Sequence, residues 1–153
     1  MIKLLTKEYD DLYYLCSLIE FISRETNNTS KYIVNALGEN ELLYIKDIAE
    51  VLHCDSFEET AERFILEHNI AQGTNDKLSL LKGESIPKYT KIGKAYANLI
   101  EKICLKEENL INTLIEIYNS WITEYIEDYD SDFYYLPVDY QKCCYEENKI
   151  LRY

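Results

Sequence analysis

The sequence predicts a mostly α-helical protein that carries one short β-hairpin. Only 4 of the 153 residues are Gly and 2 are Pro, and apolar residues recur at helical spacing through most of the chain. The exception is a turn-rich segment with several lysines between residues 71 and 90. We expect one domain over residues 1–153, made of a helical arm (1–38), a core (39–104), and a C-terminal helix with an acidic, tyrosine-rich tail (105–153).

The arm is predicted to contain two helices. Thr6 is placed to cap a helix over residues 7–24, whose apolar stripe is wide enough to require burial on more than one side. Thr29 or Ser30 is placed to cap a second, shorter helix, and Gly38 suits a left-handed residue at its C-terminal end. A helical arm is therefore expected before the core.

The core is predicted to begin with two short amphipathic helices. Apolar residues mark one face over residues 43–53 and another over residues 56–68. Asp55 and Ser56 precede the second helix, where side-chain oxygens can accept from free backbone N–H groups. The pattern predicts helix, turn, helix.

A hairpin is predicted over residues 77–90. A turn-rich run at 71–76 leads into partial alternation over 77–82, and Gly83 separates that run from a second extended stretch. Pro87 cannot donate a ladder hydrogen bond, so it suits an outer strand. This hairpin is the one expected piece of β-structure.

The residues after the hairpin, Tyr89–Ile100 with Thr90 and Gly93, resemble the exit from the wing in MarR- and PadR-type winged-helix regulators. Those proteins often carry a Leu-Thr-x-x-Gly pattern at that point. The resemblance covers residues 42–103 and implies a winged-helix core, with residues 56–68 in the major groove of DNA. Lysines of the wing would contact phosphates: Lys77, Lys82, Lys88, Lys91 and Lys94.

The chain departs from these regulators in ways that affect DNA binding. His53 stands where the turn usually has a small residue. The predicted recognition helix exposes Glu58, Glu59 and Glu62, which would meet phosphates of like charge. The whole chain has 16 basic and 28 acidic side chains and a formal net charge of −12, which disfavours nucleic acid and anionic lipid as partners.

Residues 94–136 contain no Gly or Pro and predict one long helix, or two in line with a break at the polar run 106–109. In the regulators that this chain resembles, the helix after the wing and the N-terminal helix commonly form a dimer. A homodimer is one expectation. The alternative is that both helices cover one monomeric core.

The tail interleaves carboxylates with tyrosines, a combination that protein-binding surfaces use against basic partners. The predicted partner-binding residues of the tail are Glu124, Tyr125, Glu127, Asp128, Tyr129, Asp130, Asp132, Tyr134 and Tyr135. Glu58, Glu59 and Glu62 form a second acidic candidate surface. An alternative for the tail is that its tyrosines pack on the protein body and its acids only solubilise it.

Two spacings resemble functional motifs. Asp128, Asp130, Asp132 and Asp139 have the spacing of EF-hand ligands, but Phe133 stands where the loop requires Gly, so a solvated acidic turn is favoured over calcium binding. Arg63 and His68 have the Arg-x4-His spacing of HEPN-type ribonucleases. There the alternative is a histidine that interacts with the C-terminal carbonyls of its helix.

Nothing else in the sequence predicts catalysis. With 2 histidines and no Gly-rich phosphate loop, no catalytic triad is recognisable, and we expect no enzyme activity, cofactor or metal. The 5 cysteines have neither disulfide-framework nor metal-ligand spacing. No apolar run reaches the length of a membrane span or signal peptide, so a cytoplasmic location is expected.

Two functions from different classes follow. The first is an acidic interaction protein that inhibits or antagonises a basic, nucleic-acid-binding partner, as immunity proteins, antitoxins and phage anti-defence proteins such as anti-CRISPRs do; this is a resemblance of composition. The second, supported by the winged-helix resemblance, is a DNA-binding transcriptional regulator. The net charge of −12 favours the first.

Overall fold

The computed structural model describes residues 2–76, 78 and 86–152. Within these ranges the regular structure is helical, as the composition predicts. The α-helices are α1 (Thr6–Thr26), α2 (Ser30–Asp47), α3 (Ala49–Leu52), α4 (Phe57–Glu67), α5 (Tyr89–Ile103), α6 (Leu110–Tyr118), α7 (Ile122–Ile126) and α8 (Val138–Glu147), and two 3-10 turns lie at Glu107–Asn109 and Phe133–Tyr135.

Helix α1 lies at the centre of the core. It packs most extensively against α5 and also contacts α2, α3 and α4. The wide apolar stripe of α1 is buried by these neighbours, with Leu12, Leu15, Leu18, Ile19 and Ile22 inaccessible to solvent. The segment that we predicted to be an arm is therefore surrounded by the rest of the chain.

The predicted winged-helix core with its β-hairpin is wrong. No strand occurs among the described residues, and Ile86–Lys88 are irregular before α5 begins at Tyr89. The helix extends back to Tyr89 because Ile92, Tyr96 and Leu99 form an apolar stripe at helical spacing that packs on α1.

Pro87 is buried, and its carbonyl accepts a hydrogen bond from Arg24 Nη2 at 2.7 Å, so it packs against α1 and does not form an outer strand. The remainder of the hairpin prediction, at residue 77 and residues 79–85, lies outside the described residues.

Local capping is predicted better than the hairpin. The side chains of Thr29 and Ser56 cap α2 and α4, each accepting from a backbone N–H three residues later at 3.1 Å. Thr6 is not a cap, because it is the first residue of α1 and Leu5 occupies the capping position without a side-chain bond. Gly38 has a φ of 80°, yet it kinks α2 and does not end it.

The C-terminal half folds back over α5. Helix α5 ends at Ile103, next to the run at 106–109 where we predicted a break in the helix over residues 94–136. Two further breaks, after Tyr118 and after Ile126, were not predicted. Tyr118 on α6 stacks on Tyr96 of α5 with ring centroids 4.1 Å apart. None of the described helices is both long enough and apolar enough to cross a membrane.

Candidate functional site

The predicted partner-binding residues of the tail lie on α7, on the turn that follows it, and on the 3-10 turn Phe133–Tyr135. Buried side chains of Ile122, Ile126 and Phe133 hold this segment against the core. The Ser131 hydroxyl donates to the Asp128 carbonyl at 2.9 Å and closes the turn. Four of the carboxylates between these anchors are exposed: Glu124, Asp128, Asp130 and Asp132.

The exposed part of this segment we call the acidic face. Its members share solvent exposure and either a carboxylate or a tyrosine ring: Glu124, Tyr125, Asp128, Asp130, Asp132 and Tyr135. Tyr125 is 43% exposed and Tyr135 is 57% exposed. The Tyr135 hydroxyl donates to Asp132 at 2.9 Å, which raises the pKa of Tyr135 and orients its ring.

The other three predicted contact residues of the tail are Glu127, Tyr129 and Tyr134, and Tyr134 is half-buried against the core. Tyr129 is only 8% exposed, and its hydroxyl donates to the Glu20 carboxylate on α1. Glu127 is half-buried and accepts from the hydroxyls of Ser30, at 2.7 Å, and Tyr96. Tyr129 therefore packs on the protein body, as the alternative for the tail expects of its tyrosines, whereas Glu127 bonds to the body and does not act only as a solubilising acid.

The buried network behind the acidic face includes residues that sequence reasoning missed. Glu20 is 1% exposed, and it accepts from Arg24 Nε at 2.7 Å as well as from Tyr129. Burial raises the pKa of Tyr96 well above its ordinary value, and the nearby Glu127 carboxylate raises it further, so the Tyr96 hydroxyl stays protonated and donates. The signal for Glu20 is a carboxylate within the apolar stripe of α1.

An acidic pocket of about 420 Å³ lies between the start of α2 and α7. It is lined by Thr29, Ser30, Lys31, Asn75, Thr123, Glu124, Glu127, Asp128, Tyr129 and Asp130. Lys31 is the one basic side chain in this lining, against four carboxylates. The pocket is therefore suited electrostatically to a cationic group.

Three of the five lysines predicted to contact DNA lie within the described part of the chain. Lys88, Lys91 and Lys94 are exposed around the start of α5, whereas Lys77 and Lys82 lie outside the described residues. The Lys91 ammonium lies 5.8 Å from the centroid of the Tyr135 ring, so one of these exposed lysines interacts with the tail.

The second acidic surface is on α4, where Glu58, Glu59 and Glu62 are exposed. Glu58 and Glu62 line a shallow cavity of about 340 Å³ together with Phe21 and Ile65. The carboxylates and the apolar floor make this a second surface of the same chemical kind as the acidic face.

The two residues with a HEPN-like spacing, Arg63 on α4 and His68 directly after it, each lie next to a carboxylate. Arg63 Nε lies 3.1 Å from Glu67, and His68 Nε2 lies 3.5 Å from Glu41. Ligand atoms of Glu41, Glu67 and His68 lie within 4.8 Å of one another, a group that could hold a metal ion and that our sequence analysis did not predict. The Arg63 guanidinium already pairs with one of these carboxylates.

Two of the four aspartates with EF-hand spacing pair with other side chains of the protein. Asp139 forms an ion pair with Lys102 at 2.8 Å, which lowers the pKa of Asp139. Asp132 instead accepts from Tyr135.

No family model, curated protein or solved structure matches this chain.

Proposed function

We propose that this protein binds a basic protein partner through the acidic face, and that it acts as an inhibitor or antagonist of that partner. One observation carries the proposal. Carboxylates of Asp128, Asp130 and Asp132 are exposed together beside the exposed rings of Tyr125 and Tyr135, while neighbouring side chains supply the packing. Such a surface can pair with Arg or Lys and bury aromatic area in the same contact.

The charge of the whole chain supports this kind of partner. A formal net charge of −12 attracts a basic protein over a distance of about a Debye length and so speeds association. A basic, nucleic-acid-binding protein is the partner class with the matching surface. Immunity proteins, antitoxins and anti-CRISPR proteins have this physical character.

The alternative, a DNA-binding regulator, stays a prediction that gains no support from the fold, because no strand occurs among the described residues and α5 begins at Tyr89. We infer a binding role without catalysis. A cytoplasmic location remains our prediction, since all of the 5 cysteines are free thiols, which a reducing compartment maintains.

The experiment is affinity capture from source cells with two matched variants of the protein. The face variant changes Asp128, Asp130 and Asp132 to Lys. The control variant changes three exposed carboxylates elsewhere to Lys and has the same net charge: Glu107, Glu108 and Glu147. Both variants should unfold at nearly the wild-type temperature, because exposed substitutions away from packed features cost little.

The proposal predicts that the wild type and the control variant capture the same basic protein and that the face variant does not. With the purified partner, the face variant should associate more slowly and show a weaker dependence on salt. Equal capture by all three proteins would show that the acidic face is not the interface. The same substitutions at Glu58, Glu59 and Glu62 would then test the second acidic surface.

A further inference from the structure

Three side chains of the kinds that bind metal ions come together at the C-terminal end of α4. Glu41 belongs to α2, Glu67 is the last residue of α4, and His68 follows it directly. One imidazole nitrogen and one oxygen from each carboxylate all lie within 4.8 Å of one another. Within the described part of the chain, this is the one such group of three or more side chains, and we call it the carboxylate–histidine cluster.

The backbone at the end of α4 holds the histidine in place. The His68 N–H donates to the Phe64 carbonyl at 3.1 Å, and the Ile70 N–H donates to the Ile65 carbonyl at 3.0 Å. Asn69, between them, has a φ of 51°, the left-handed conformation that commonly ends a helix. Ile70 is 7% exposed and attaches this end of the helix to the core. The histidine is therefore presented from an ordered helix end.

The distance between two of the ligand atoms fits a zinc ion. His68 Nε2 lies 3.5 Å from Glu41 Oε2. This is longer than the usual N–H···O hydrogen bond of about 2.7–3.2 Å. Zinc binds histidine nitrogen and carboxylate oxygen at about 2.0–2.2 Å, so neighbouring ligand atoms of a tetrahedral zinc ion lie about 3.4 Å apart. The two side chains are only 22% and 24% exposed, which limits their movement away from this separation.

Glu67 is the ligand that must turn towards the ion. Its carboxylate lies 3.1 Å from Arg63 Nε, and its side chain is 49% exposed. An exposed ion pair contributes little to stability, so a divalent ion can replace the guanidinium as the partner of this carboxylate. Arg63 keeps two other contacts, because its Nη2 lies 3.5 Å from the Tyr44 hydroxyl and its Cζ lies 4.9 Å from the centroid of the Phe64 ring.

We propose that Glu41, Glu67 and His68 bind a zinc ion, with water as the fourth ligand. The two carboxylates balance the charge of the ion, and the C-terminal end of α4 carries the negative end of the helix dipole, which adds to the attraction. The imidazole ligand favours zinc over Mg²⁺ and Ca²⁺, which prefer six or more oxygen ligands. The bound ion would link α4 to α2. This inference does not depend on the acidic face or its partner.

The test is a titration of the full chain with Zn²⁺, followed by NMR of the histidine rings. The protein has 2 histidines, so His53 is an internal control for His68. The two exposed thiols are removed beforehand by Cys54→Ser and Cys143→Ser, because thiolates also bind zinc. The ring signals of His68 should shift and saturate, whereas those of His53 should not. Equal concentrations of Ca²⁺ or Mg²⁺ should not displace the zinc.

Four variants in the same background assign the contacts, with affinity measured by calorimetry. Glu41→Gln, which keeps the shape of the side chain, and His68→Ala should each weaken zinc binding by at least about tenfold, the loss typical even of residues that only support a ligand. Glu108→Gln, at an exposed carboxylate elsewhere, should leave the affinity unchanged. Arg63→Ala should strengthen binding by up to about fivefold, because Glu67 no longer has to leave an ion pair.

The proposal is overturned if Zn²⁺ produces no saturable shift of the His68 ring signals. It is also overturned if Glu41→Gln and His68→Ala bind zinc as tightly as Glu108→Gln does. Displacement of the zinc by equal concentrations of Ca²⁺ or Mg²⁺ would likewise overturn it, because such binding requires only carboxylates. The amide spectrum of each variant reports that the fold is kept.

Discussion

Gly93 on α5 lies directly against Ser17 on α1. A Cβ at position 93 would be 2.4 Å from the Ser17 Oγ and 2.7 Å from the Ser17 Cα and backbone nitrogen. Real side chains do not approach backbone atoms this closely, so the absence of a side chain at Gly93 determines how near α1 and α5 can come. The central packing of the fold therefore depends on one glycine within a helix.

Gly93→Ala is expected to destabilise the protein even though Ala is a better helix former than Gly by about 1 kcal/mol. The new methyl group must push α1 and α5 apart, and overpacking of this kind typically costs about 1–3 kcal/mol. Denaturant unfolding measures the effect. Lys94→Ala, at an exposed neighbouring position of the same helix, should change the free energy of unfolding by less than about 0.5 kcal/mol. A stable Gly93→Ala variant would mean that the two helices separate at this point at little cost.

Tyr129→Phe should lower stability while Tyr135→Phe should not. The Tyr129 hydroxyl donates to the Glu20 carboxylate, which is 1% exposed, and loss of one bond to a buried charged group costs about 1.5–3 kcal/mol. The Tyr135 hydroxyl bonds to Asp132 at the surface, where water can replace it. Thermal and urea unfolding of both variants test the difference. Equal effects would show that the buried bond contributes no more than the exposed one.

Stability should fall as the pH rises above about 9, because of Cys16. Burial raises the pKa of the Cys16 thiol from 9.0 to about 12, so above pH 9 the unfolded chain loses this proton while the folded chain keeps it. The contribution of Cys16 is fully present below pH 9 and declines by about 1.4 kcal/mol per pH unit until about pH 12. The buried tyrosines Tyr96 and Tyr118 add to the decline only above about pH 10. Between about pH 9 and pH 10 the decline can therefore be assigned to the Cys16 thiol without their contribution.

Urea unfolding between pH 8 and 10 measures this decline. Cys16→Ala should lower stability at pH 8 because it leaves a cavity, but it should flatten the dependence on pH. Cys54→Ala, at an exposed thiol, should keep the wild-type slope. If the free energy of unfolding depended on pH equally in the Cys16→Ala and Cys54→Ala variants, Cys16 would not be the cause of the decline.

Ser56→Ala should destabilise the protein by about 1 kcal/mol, because its side chain caps α4 by accepting from the Glu59 N–H at 3.1 Å. Thr6→Ala should have almost no effect, since Thr6 lies inside α1 and makes no capping bond. The pair distinguishes a cap seen in the structure from a cap predicted by sequence alone. Comparable losses from both substitutions would show that the capping bond at Ser56 does not stabilise α4.

The sequence by itself determined most of the helices and the charge of their surfaces. Helical periodicity, the caps at Thr29 and Ser56, and the break near residues 106–109 are encoded by residues within a few positions of each other. The exposed carboxylates of the acidic face were also predictable, because charged side chains are rarely buried without a partner.

Only the tertiary structure decided which faces of these helices meet. Turn residues and Pro87 suggested a strand, yet the stripe of α5 that packs on α1 extends that helix back to Tyr89. Tyr129 and Tyr135 look equivalent in the sequence of the tail. Tyr129 is buried and bonds to the Glu20 carboxylate, 109 positions away, whereas Tyr135 is exposed to solvent. Periodicity shows that a side chain is on an apolar or a polar face, whereas the partner of that face lies far along the chain and is selected by the packing of the whole core.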